Sequence, residues 1–584
     1  RRGSSVKGRR LVGLLVVTGL VFAAVAVRLT DVQLISTHRY ASYAKAEVLH
    51  PVTLPAQRGT LYDSSGNVLA VSEPEATVIA DDLQITDPSG EAAKLSPVLS
   101  MSQSSLRALL SEKSGFVRVA SQVSASATAK VEAMNLTGLT FQSTSQRFLP
   151  SGTLALPVIG QVNSAGVGYS GIEEEYNQTL SGHPGSEVIP LGPSGAALPG
   201  KPQQLKPASP GQGLVLTINS AIQYDTEQAL SKEIVRSQAQ SGWAVLLAKD
   251  GDILAMANLD AGSTPGSAPV QASRALAMTD VYEPGSVAKL ATFAGALTDG
   301  LISPDTKLYI PASLSLGGDT FTDAESHGAE QLSATQVLAQ SSNIGTIEIA
   351  QKLGPQGLYH WLHALGFGQP TGLNFPGDSQ GLLPVPSTWS GSTIGSMPIG
   401  QAEAVSALQI ADAYNMVANG GVFVPPRLVE ATIGPNGDRH TLRPAQTRRV
   451  VPPAVAAQLT AMLTDVVSTN GTAPCAAVPG YTAAGKTGTA QIPTSGSYNS
   501  MDFAATFVGY VPAQSPALTM VVSLNQPNSS DYYGGTVAAP VFSQVASDAL
   551  RLLNVPPGSS ANAVGTPETV TSTTVGTAAS CPGA

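Results

Sequence analysis

The sequence predicts an α/β protein in an α+β layout. An antiparallel sheet flanked by helices follows an elongated β-rich amino-terminal module and one transmembrane helix. Residues 11–27 form an uncharged, mostly apolar run of about 25 Å as a helix, the short end of what spans a bilayer. Residues 243–248 and 253–257 are short apolar runs joined by a polar turn with glycine, which is typical of a hairpin. The apolar run at 290–297 predicts a helix after this hairpin.

Composition limits the classes of protein to which the chain can belong. Its 584 residues are too many for one hydrophobic core and favour roughly two to four folded units. Hydrophobic residues make up 42% and charged residues 12%, so the chain can bury a large core. The net charge of −9 argues against a nucleic-acid partner.

The histidines and cysteines do not indicate a metal or cofactor site. His327, His360 and His363 lack the neighbours that a metal-ligand spacing requires, so we expect no metal and no cofactor. Two cysteines, Cys475 and Cys581, are too few for a scaffold built on disulfides. They could pair outside the cytoplasm or remain free, and the sequence leaves both alternatives open.

The amino-terminal segment predicts a membrane anchor. Residues 1–10 carry five basic side chains, which should stay cytoplasmic and direct the chain after the apolar run 11–27 to the outside. The alternative is a cleaved signal peptide, because residues 24–26 have the small-x-small form of a cleavage site. We favour the uncleaved anchor, and therefore a single-pass protein of the cell membrane.

Composition divides the remaining chain into three parts. Residues 28–213 are predicted to form the amino-terminal module, and its last part, 183–213, is a linker rich in Pro, Gly and Ser. Residues 214–555 hold the hairpin and the apolar helix and are predicted to form the main domain. Residues 556–584 are dominated by Ser, Thr, Gly, Ala and Pro, which predicts a disordered tail.

A serine and a lysine at the start of the apolar helix are candidates for chemistry. Pro284 and Gly285 end the preceding segment, so Ser286 lies in the first turn of the helix. Lys289 follows three residues later and shares one helical face with Ser286, so an amine that loses its proton could deprotonate the hydroxyl. The same spacing occurs at two other places in the chain, so this pair alone is weak evidence.

Two later segments complete a recognisable set of motifs: Ser341-Ser342-Asn343 and Lys486-Thr487-Gly488-Thr489. Ser-x-x-Lys, Ser-x-Asn and Lys-Thr-Gly, in this order, are the motifs of serine penicillin-binding proteins and class A β-lactamases. On these motifs the chain resembles a class B penicillin-binding protein, which is a membrane-anchored peptidoglycan D,D-transpeptidase. The resemblance implies that residues 214–555 are a transpeptidase domain.

The resemblance implies a role for each motif residue. Ser286 would be the nucleophile and Lys289 its base, with the pKa of Lys289 lowered by burial and by Lys486 on the opposite wall. Ser341 would pass a proton to the leaving amine, and Asn343 would hold the substrate backbone.

The Lys-Thr-Gly segment would bind substrate. By resemblance, Lys486, Thr487 and Thr489 bind the terminal carboxylate of a D-Ala-D-Ala stem peptide, and Gly488 allows its backbone to come close. The backbone N–H groups of Ser286 and Thr489 would form the oxyanion hole.

The reaction implied is attack on the D-Ala-D-Ala bond, release of D-alanine and transfer of the acyl group to an amine of a neighbouring peptidoglycan stem peptide. β-Lactam antibiotics would acylate the same serine. We expect a separate membrane glycan polymerase of the SEDS type as partner, and a role at division rather than elongation. The alternatives are a D,D-carboxypeptidase or β-lactamase of the same superfamily, and a non-catalytic scaffold or penicillin sensor.

The resemblance extends to the amino-terminal module and to one loop of the main domain. Segments 58–70, 147–155 and 168–176 resemble signatures of that module, and Arg147 and Glu173 could form a structural ion pair. Members of the family usually carry Gly-Gln-Gly before a later helix, whereas this chain has Gly-Gln-Ala at 400–402. This departure leaves the predicted fold unchanged, and the resemblance is not extended to the loop that borders the cleft.

Overall fold

The structure, a computed structural model, describes residues 5–39, 49–190, 203–494, 497–528, 531–558 and 581. Residues 1–4 of the predicted cytoplasmic segment, 191–202 of the predicted linker and most of the predicted tail lie outside this range. The described chain forms two compact units. Their residues are 1–57, 72–146 and 182–211 for the first unit, and 58–71, 147–181 and 212–584 for the second.

The strands of the described residues are β1 Leu49–Leu54, β2 Leu61–Tyr62, β3 Val68–Ala80, β4 Val117–Ser124, β5 Leu139–Phe148, β6 Gly185–Pro190, β7 Gln203–Lys206, β8 Gly213–Leu216, β9 Ser241–Ala248, β10 Ile253–Asp260, β11 Val270–Gln271, β12 Lys307–Ile310, β13 Leu314–Leu316, β14 Asp319–Phe321, β15 Glu330–Ser333, β16 Val422–Phe423, β17 Val429–Ile433, β18 Arg439–Thr441, β19 Arg448–Arg449, β20 Ala484–Thr494, β21 Ser497–Val511 and β22 Leu518–Asn525.

The α-helices are α1 Ser5–Thr30, α2 Pro88–Leu99, α3 Gln103–Leu109, α4 Ala125–Ala133, α5 Leu156–Ile159, α6 Gly171–Glu175, α7 Asn177–Ser181, α8 Ser220–Ser237, α9 Leu276–Thr279, α10 Lys289–Thr298, α11 Ala334–Ala339, α12 Asn343–Ala364, α13 Thr393–Ser396, α14 Ala407–Ala418, α15 Pro453–Val467 and α16 Gly534–Leu552.

The first unit contains the predicted apolar helix and a β-rich body. The most apolar 18-residue window within Gly8–Gln33 has a mean hydropathy of 2.4 and none of it is buried, so α1 is long and apolar enough to cross a bilayer. Strands β1, β6 and β7 form an antiparallel sheet. A small core that includes Val78, Leu95 and Leu106 packs α2 and α3 on β3.

The second unit is built on a six-stranded sheet in the order β11-β10-β9-β22-β21-β20, and every neighbouring pair is antiparallel. The predicted hairpin is confirmed as β9 and β10, with Leu247 opposite Ile253. Strand β20 is an edge of the sheet. This edge carries the Lys-Thr-Gly motif.

Helices cover both faces of this sheet, which explains why the central strand β9 is apolar along most of its length. Successive side chains of a strand point to opposite faces. Val245 and Leu247 of β9 belong to one core with helices α10 and α14. Ala244 and Leu246 belong to a second core with helices α8 and α16. The predicted fold class, an antiparallel sheet flanked by helices, is confirmed.

Helix α10 begins with the candidate lysine and is buried almost all round. Leu290, Phe293 and Leu297 are at most 6% exposed. A helix that is apolar on every side belongs in a core. The first turn of α10 is therefore held rigidly by its packing.

Cys475 and Cys581 form a disulfide with their Cα atoms 5.4 Å apart. The bond joins the short 3₁₀ turn Pro474–Ala476 to the far end of the chain. This resolves the alternative that the sequence left open.

A buried ion triad lies in the second unit. Glu173 accepts hydrogen bonds from the Nε of Arg147 at 2.7 Å and from the Nε of Arg58 at 2.6 Å. The three side chains are between 1% and 7% exposed. The expected pair of Arg147 and Glu173 is confirmed, and Arg58 is a second partner that the sequence did not indicate.

We expect Glu173→Ala to destabilise the protein by about 3–5 kcal/mol, because it removes the counter-charge of two buried guanidinium groups. Denaturant unfolding measures the change. The matched control is Glu174→Ala, since Glu174 is exposed and should lose less than about 0.5 kcal/mol. Equal stability of the two variants would contradict a structural role for the triad.

Candidate active site

The candidate nucleophile lies on a tight turn that lines a cleft of about 460 Å³. Residues Gly285–Ala288 form a 3₁₀ turn that continues into α10. Side chains three residues apart eclipse one another in a 3₁₀ turn, so Ser286 and Lys289 project from the same face. Ser286 is partly exposed and lines the cleft, whereas Lys289 is fully buried behind it.

Backbone contacts with segment 400–405 hold this turn. Gly285 donates its N–H to the carbonyl of Gly400 at 3.0 Å, and Tyr282 exchanges two backbone hydrogen bonds with Val405. A Cβ on Gly400 would lie 2.0 Å from the carbonyl oxygen of Gly285, and its φ is +78°. Only glycine fits at this contact. From the other side, Tyr414 of α14 donates its hydroxyl to the carbonyl of Val287 at 2.9 Å.

The loop that contains Gly-Gln-Ala contacts the chain just before the nucleophile turn. Ala402, where the resemblance implies a glycine, has a φ of +64°. This left-handed conformation costs a non-glycine residue about 1–2 kcal/mol. The N–H of Ala402 donates to Glu283 Oε1 at 3.0 Å, which ties this loop to Glu283, two residues before the nucleophile turn.

The amine of Lys289 contacts the Ser-x-Asn segment. Its Nζ donates to the Ser341 carbonyl at 2.5 Å, to Asn343 Oδ1 at 2.8 Å and to Ser341 Oγ at 3.3 Å. Within the part of the chain that the structure describes, these are its hydrogen bonds, and none reaches the Ser286 hydroxyl. Burial lowers the pKa of Lys289 to about 7, although the charge of Asp323 opposes this shift. A large fraction of this amine is therefore neutral near pH 7.

The amine of Lys486 approaches the same serine from the opposite wall. Its Nζ donates to Ser341 Oγ at 2.9 Å and to the Thr487 carbonyl at 3.2 Å. Burial, followed by repulsion from Lys289, holds the pKa of Lys486 well below its usual range. The Ser341 hydroxyl thus connects two buried amines, which disfavour being charged together.

Ser341 and Asn343 are held at the start of α12. Ser342 is the N-cap, and its hydroxyl accepts from the N–H of Gly345 at 3.0 Å. The Asn343 side chain donates to the carbonyl of Thr322 at 3.0 Å. Ser341 has a φ of +62°, which a non-glycine residue adopts only where its surroundings hold it.

The Lys-Thr-Gly motif passes directly beside the nucleophile turn. A Cβ on Gly488 would lie 2.9 Å from the carbonyl oxygen of Pro284, so glycine allows this close approach. Thr487 and Thr489 line the cleft. The Thr489 hydroxyl accepts from the N–H of Gly534 at 3.2 Å. Strand β20 therefore forms one wall of the cleft, and Ser286 lines the same cleft.

The structure brings all of the predicted site residues together: Ser286, Lys289, Ser341, Asn343, Lys486, Thr487, Gly488 and Thr489. Sequence reasoning missed two polar neighbours. The hydroxyl of Thr472 lies 2.8 Å from that of Thr487, and Asp323 contacts the start of α12. Both lie in loops without periodicity or a motif, so the sequence offered no signal for either.

Comparison with known proteins agrees with this geometry. The family model "Penicillin binding protein transpeptidase domain" matches residues 242–547, and the model "Penicillin-binding Protein dimerisation domain" matches residues 53–216. The crystal structure of penicillin-binding protein 3 from Mycobacterium tuberculosis complexed with ampicillin is 30% identical, with a TM-score of 0.68. That match covers 88% of this chain and 98% of the solved chain.

Sequence relatives give the same result. Penicillin-binding protein PbpB of Mycolicibacterium smegmatis is 38% identical over 70% of this chain and 65% of its own length, so this chain spans less than two thirds of that relative. The probable peptidoglycan D,D-transpeptidase PbpC of Pseudomonas aeruginosa is 32% identical over 93% of this chain and 95% of its own length. With both family modules matched and the three motifs in one cleft, the chain belongs to the transpeptidase family of penicillin-binding proteins.

Proposed function

We propose that this chain is a serine-type peptidoglycan D,D-transpeptidase that cross-links stem peptides through an acyl-serine intermediate. The observation that carries the proposal is the contact of two buried amines, from Lys289 and Lys486, with the single hydroxyl of Ser341. This hydroxyl lies in the cleft that Ser286 lines. Such an arrangement supplies a nucleophile, a base and a proton path in one place, which acyl transfer requires.

Acylation begins when substrate binding turns the Ser286 hydroxyl toward the Lys289 amine, since catalytic hydrogen bonds often form only in the complex. The neutral amine takes the hydroxyl proton as Oγ attacks the carbonyl carbon of the D-Ala-D-Ala bond. The oxyanion that forms accepts hydrogen bonds from the backbone N–H groups of Ser286 and Thr489. One such donor is worth about 3 kcal/mol in the transition state.

Collapse of the tetrahedral intermediate breaks the carbon–nitrogen bond and leaves an ester on Ser286. The leaving nitrogen takes a proton from the Ser341 hydroxyl, which is replenished from Lys289, and D-alanine departs. In the second half of the reaction, an acceptor amine attacks the ester carbon. Its proton passes through Ser341 and Lys289 to the Ser286 oxygen, and the free serine is restored. Water in place of the amine would give hydrolysis.

The Lys-Thr-Gly wall supports recognition of a terminal carboxylate. Thr487 and Thr489 line the cleft and offer hydroxyl donors to such a group, and the buried Lys486 amine lies behind them, 3.3 Å from the Thr487 hydroxyl. Asn343 would orient the substrate backbone through its amide. The same groups would bind the carboxylate of a β-lactam, and the M. tuberculosis relative has been solved with ampicillin.

The setting of the reaction follows from the apolar helix. We assign α1 as a single membrane anchor with residues 1–10 in the cytoplasm and the catalytic domain outside. A separate SEDS-type glycan polymerase would supply the strands that are cross-linked. The resemblance of residues 70–170 favours a role at division.

Incubation of the purified chain with a stem peptide ending in D-Ala-D-Ala and an amine acceptor tests the proposal. Mass spectrometry should detect release of D-alanine and more cross-linked dimer than free acid. Free acid alone would identify a carboxypeptidase instead. Rapid release of hydrolysed penicillin would identify a β-lactamase. A chain that forms neither product nor a penicillin adduct would be a scaffold, and the proposal would be wrong.

A further inference from the structure

The carboxylate of Asp323 anchors the segment that contacts Lys289. Asp323 lies after β14, and its side chain is 11% exposed. Its Oδ1 accepts hydrogen bonds from the backbone N–H groups of Asn343 and Ile344, and its Oδ2 accepts a hydrogen bond from the Ser342 hydroxyl at 2.7 Å. One carboxylate thus accepts hydrogen bonds from two of the N–H groups that have no partner within the first turn of α12. Its negative charge also interacts favourably with the positive end of the helix dipole.

These contacts bear directly on Ser341. This residue lies one position before Ser342 and holds a left-handed φ that is costly without support. Because Asp323 binds Ser342 and Asn343, it fixes the two residues that follow Ser341. The oxygens that Lys289 contacts are therefore placed by Asp323.

His327 braces this carboxylate. Its Nε2 lies 3.0 Å from Asp323 Oδ2, and its Nδ1 lies 2.6 Å from the Gly328 carbonyl and 3.4 Å from Glu330 Oε1. Both ring nitrogens face acceptors, and a neutral imidazole has only one N–H to offer. The hydrogen bond to Gly328, together with that to Asp323, raises the pKa of His327. These contacts therefore favour the charged form of the His327 ring.

The charged groups around this pair come from three elements. Lys289 faces Asp323 from α10, His327 faces it from its own loop, and Glu330 at the start of β15 faces His327. The negative charge of the Asp323 carboxylate attracts the protonated Lys289 amine. It therefore favours the charged form of that amine and raises its pKa.

We infer that Asp323, braced by His327, is a positioning residue for acylation: it holds Ser341 and Asn343 against the Lys289 amine. This inference rests on the proposed function. It also gives a role to His327, which the sequence did not connect with the site.

The test compares the rate of penicillin acylation of Asp323→Asn and the intact chain from pH 5 to pH 9. We expect the maximal rate of Asp323→Asn to fall by about ten- to a hundredfold, by analogy with the loss of a hydrogen-bond partner that orients a metal ligand. We also expect the acidic limb of its pH profile to move to lower pH, since the amine loses a nearby negative charge. A purely structural role would not move that limb.

His327→Gln is the second variant. It keeps the Asp323 carboxylate, so it tests the inference even if Asp323→Asn does not fold. Its acidic limb should move to higher pH, because the Asp323 charge is no longer offset. Asp319→Asn and His440→Gln, both exposed, are the matched controls and should behave as the intact chain. Unchanged limbs in both test variants would overturn the inference. Failure of the intact chain to form a penicillin adduct would instead overturn the proposed function.

Discussion

The Ser286→Ala variant is expected to lose penicillin acylation, by about a factor of 10⁶ for a lost nucleophile. The structure gives the physical reason. Ser286 carries the partly exposed hydroxyl on the turn before Lys289, and it lines the same cleft as the Lys-Thr-Gly strand. No ester can form once its Oγ is absent.

Labelling with fluorescent penicillin measures this loss, and mass spectrometry of the digested adduct identifies the acylated residue. The variant should keep its thermal midpoint, because the change removes one partly exposed hydroxyl. Ser387→Ala is the matched control, since Ser387 is an exposed serine of the same unit. Labelling that survives in Ser286→Ala, or an adduct on another residue, would remove Ser286 from the mechanism.

Much of the fold was predictable because local patterns and tertiary packing agree. The runs at 243–248 and 253–257 pair as β9 and β10, since two layers of helices make both faces of the sheet apolar. The apolar run at 290–297 became α10 for the same reason. In such segments, hydrophobic periodicity reports burial directly.

The site was predictable only in part. Its motif residues carry fixed spacings, and the structure gathers them in one cleft. Asp323 was not predictable, because it lies in a loop after the three-residue strand β14 and finds its partners only when α12 packs nearby. Arg58 was missed for a similar reason, since its partner Glu173 is 115 residues away. A contact between a loop residue and a separate element later in the chain leaves no periodic signal in a single sequence.

Removal of Lys289, which shares a helical face with Ser286, should change both the rate of acylation and its dependence on pH. The Lys289→Ala variant is expected to acylate about 10²–10⁴-fold more slowly, the usual contribution of a general base. The Lys289 amine is the base in this mechanism, and only its neutral form can take the Ser286 proton. With a pKa of about 7, the neutral fraction grows as the pH rises through neutrality. The acylation rate of the intact chain should therefore increase through about pH 7 and then level off.

Acylation rates of the intact chain and of Lys289→Ala, measured from pH 5 to pH 9, separate a base from a merely structural lysine. Loss of the base removes the limb near pH 7, so the variant should have both a lower rate and a flatter profile. Thermal unfolding must accompany these rates, because Lys289 is fully buried and hydrogen-bonded to Ser341 and Asn343. Lys352→Ala, at an exposed lysine on α12, is the matched control and should keep both rate and profile. If a folded Lys289→Ala variant retains the limb near pH 7, the titrating group is not Lys289. Lys486 would then be the first candidate, because its amine also contacts Ser341.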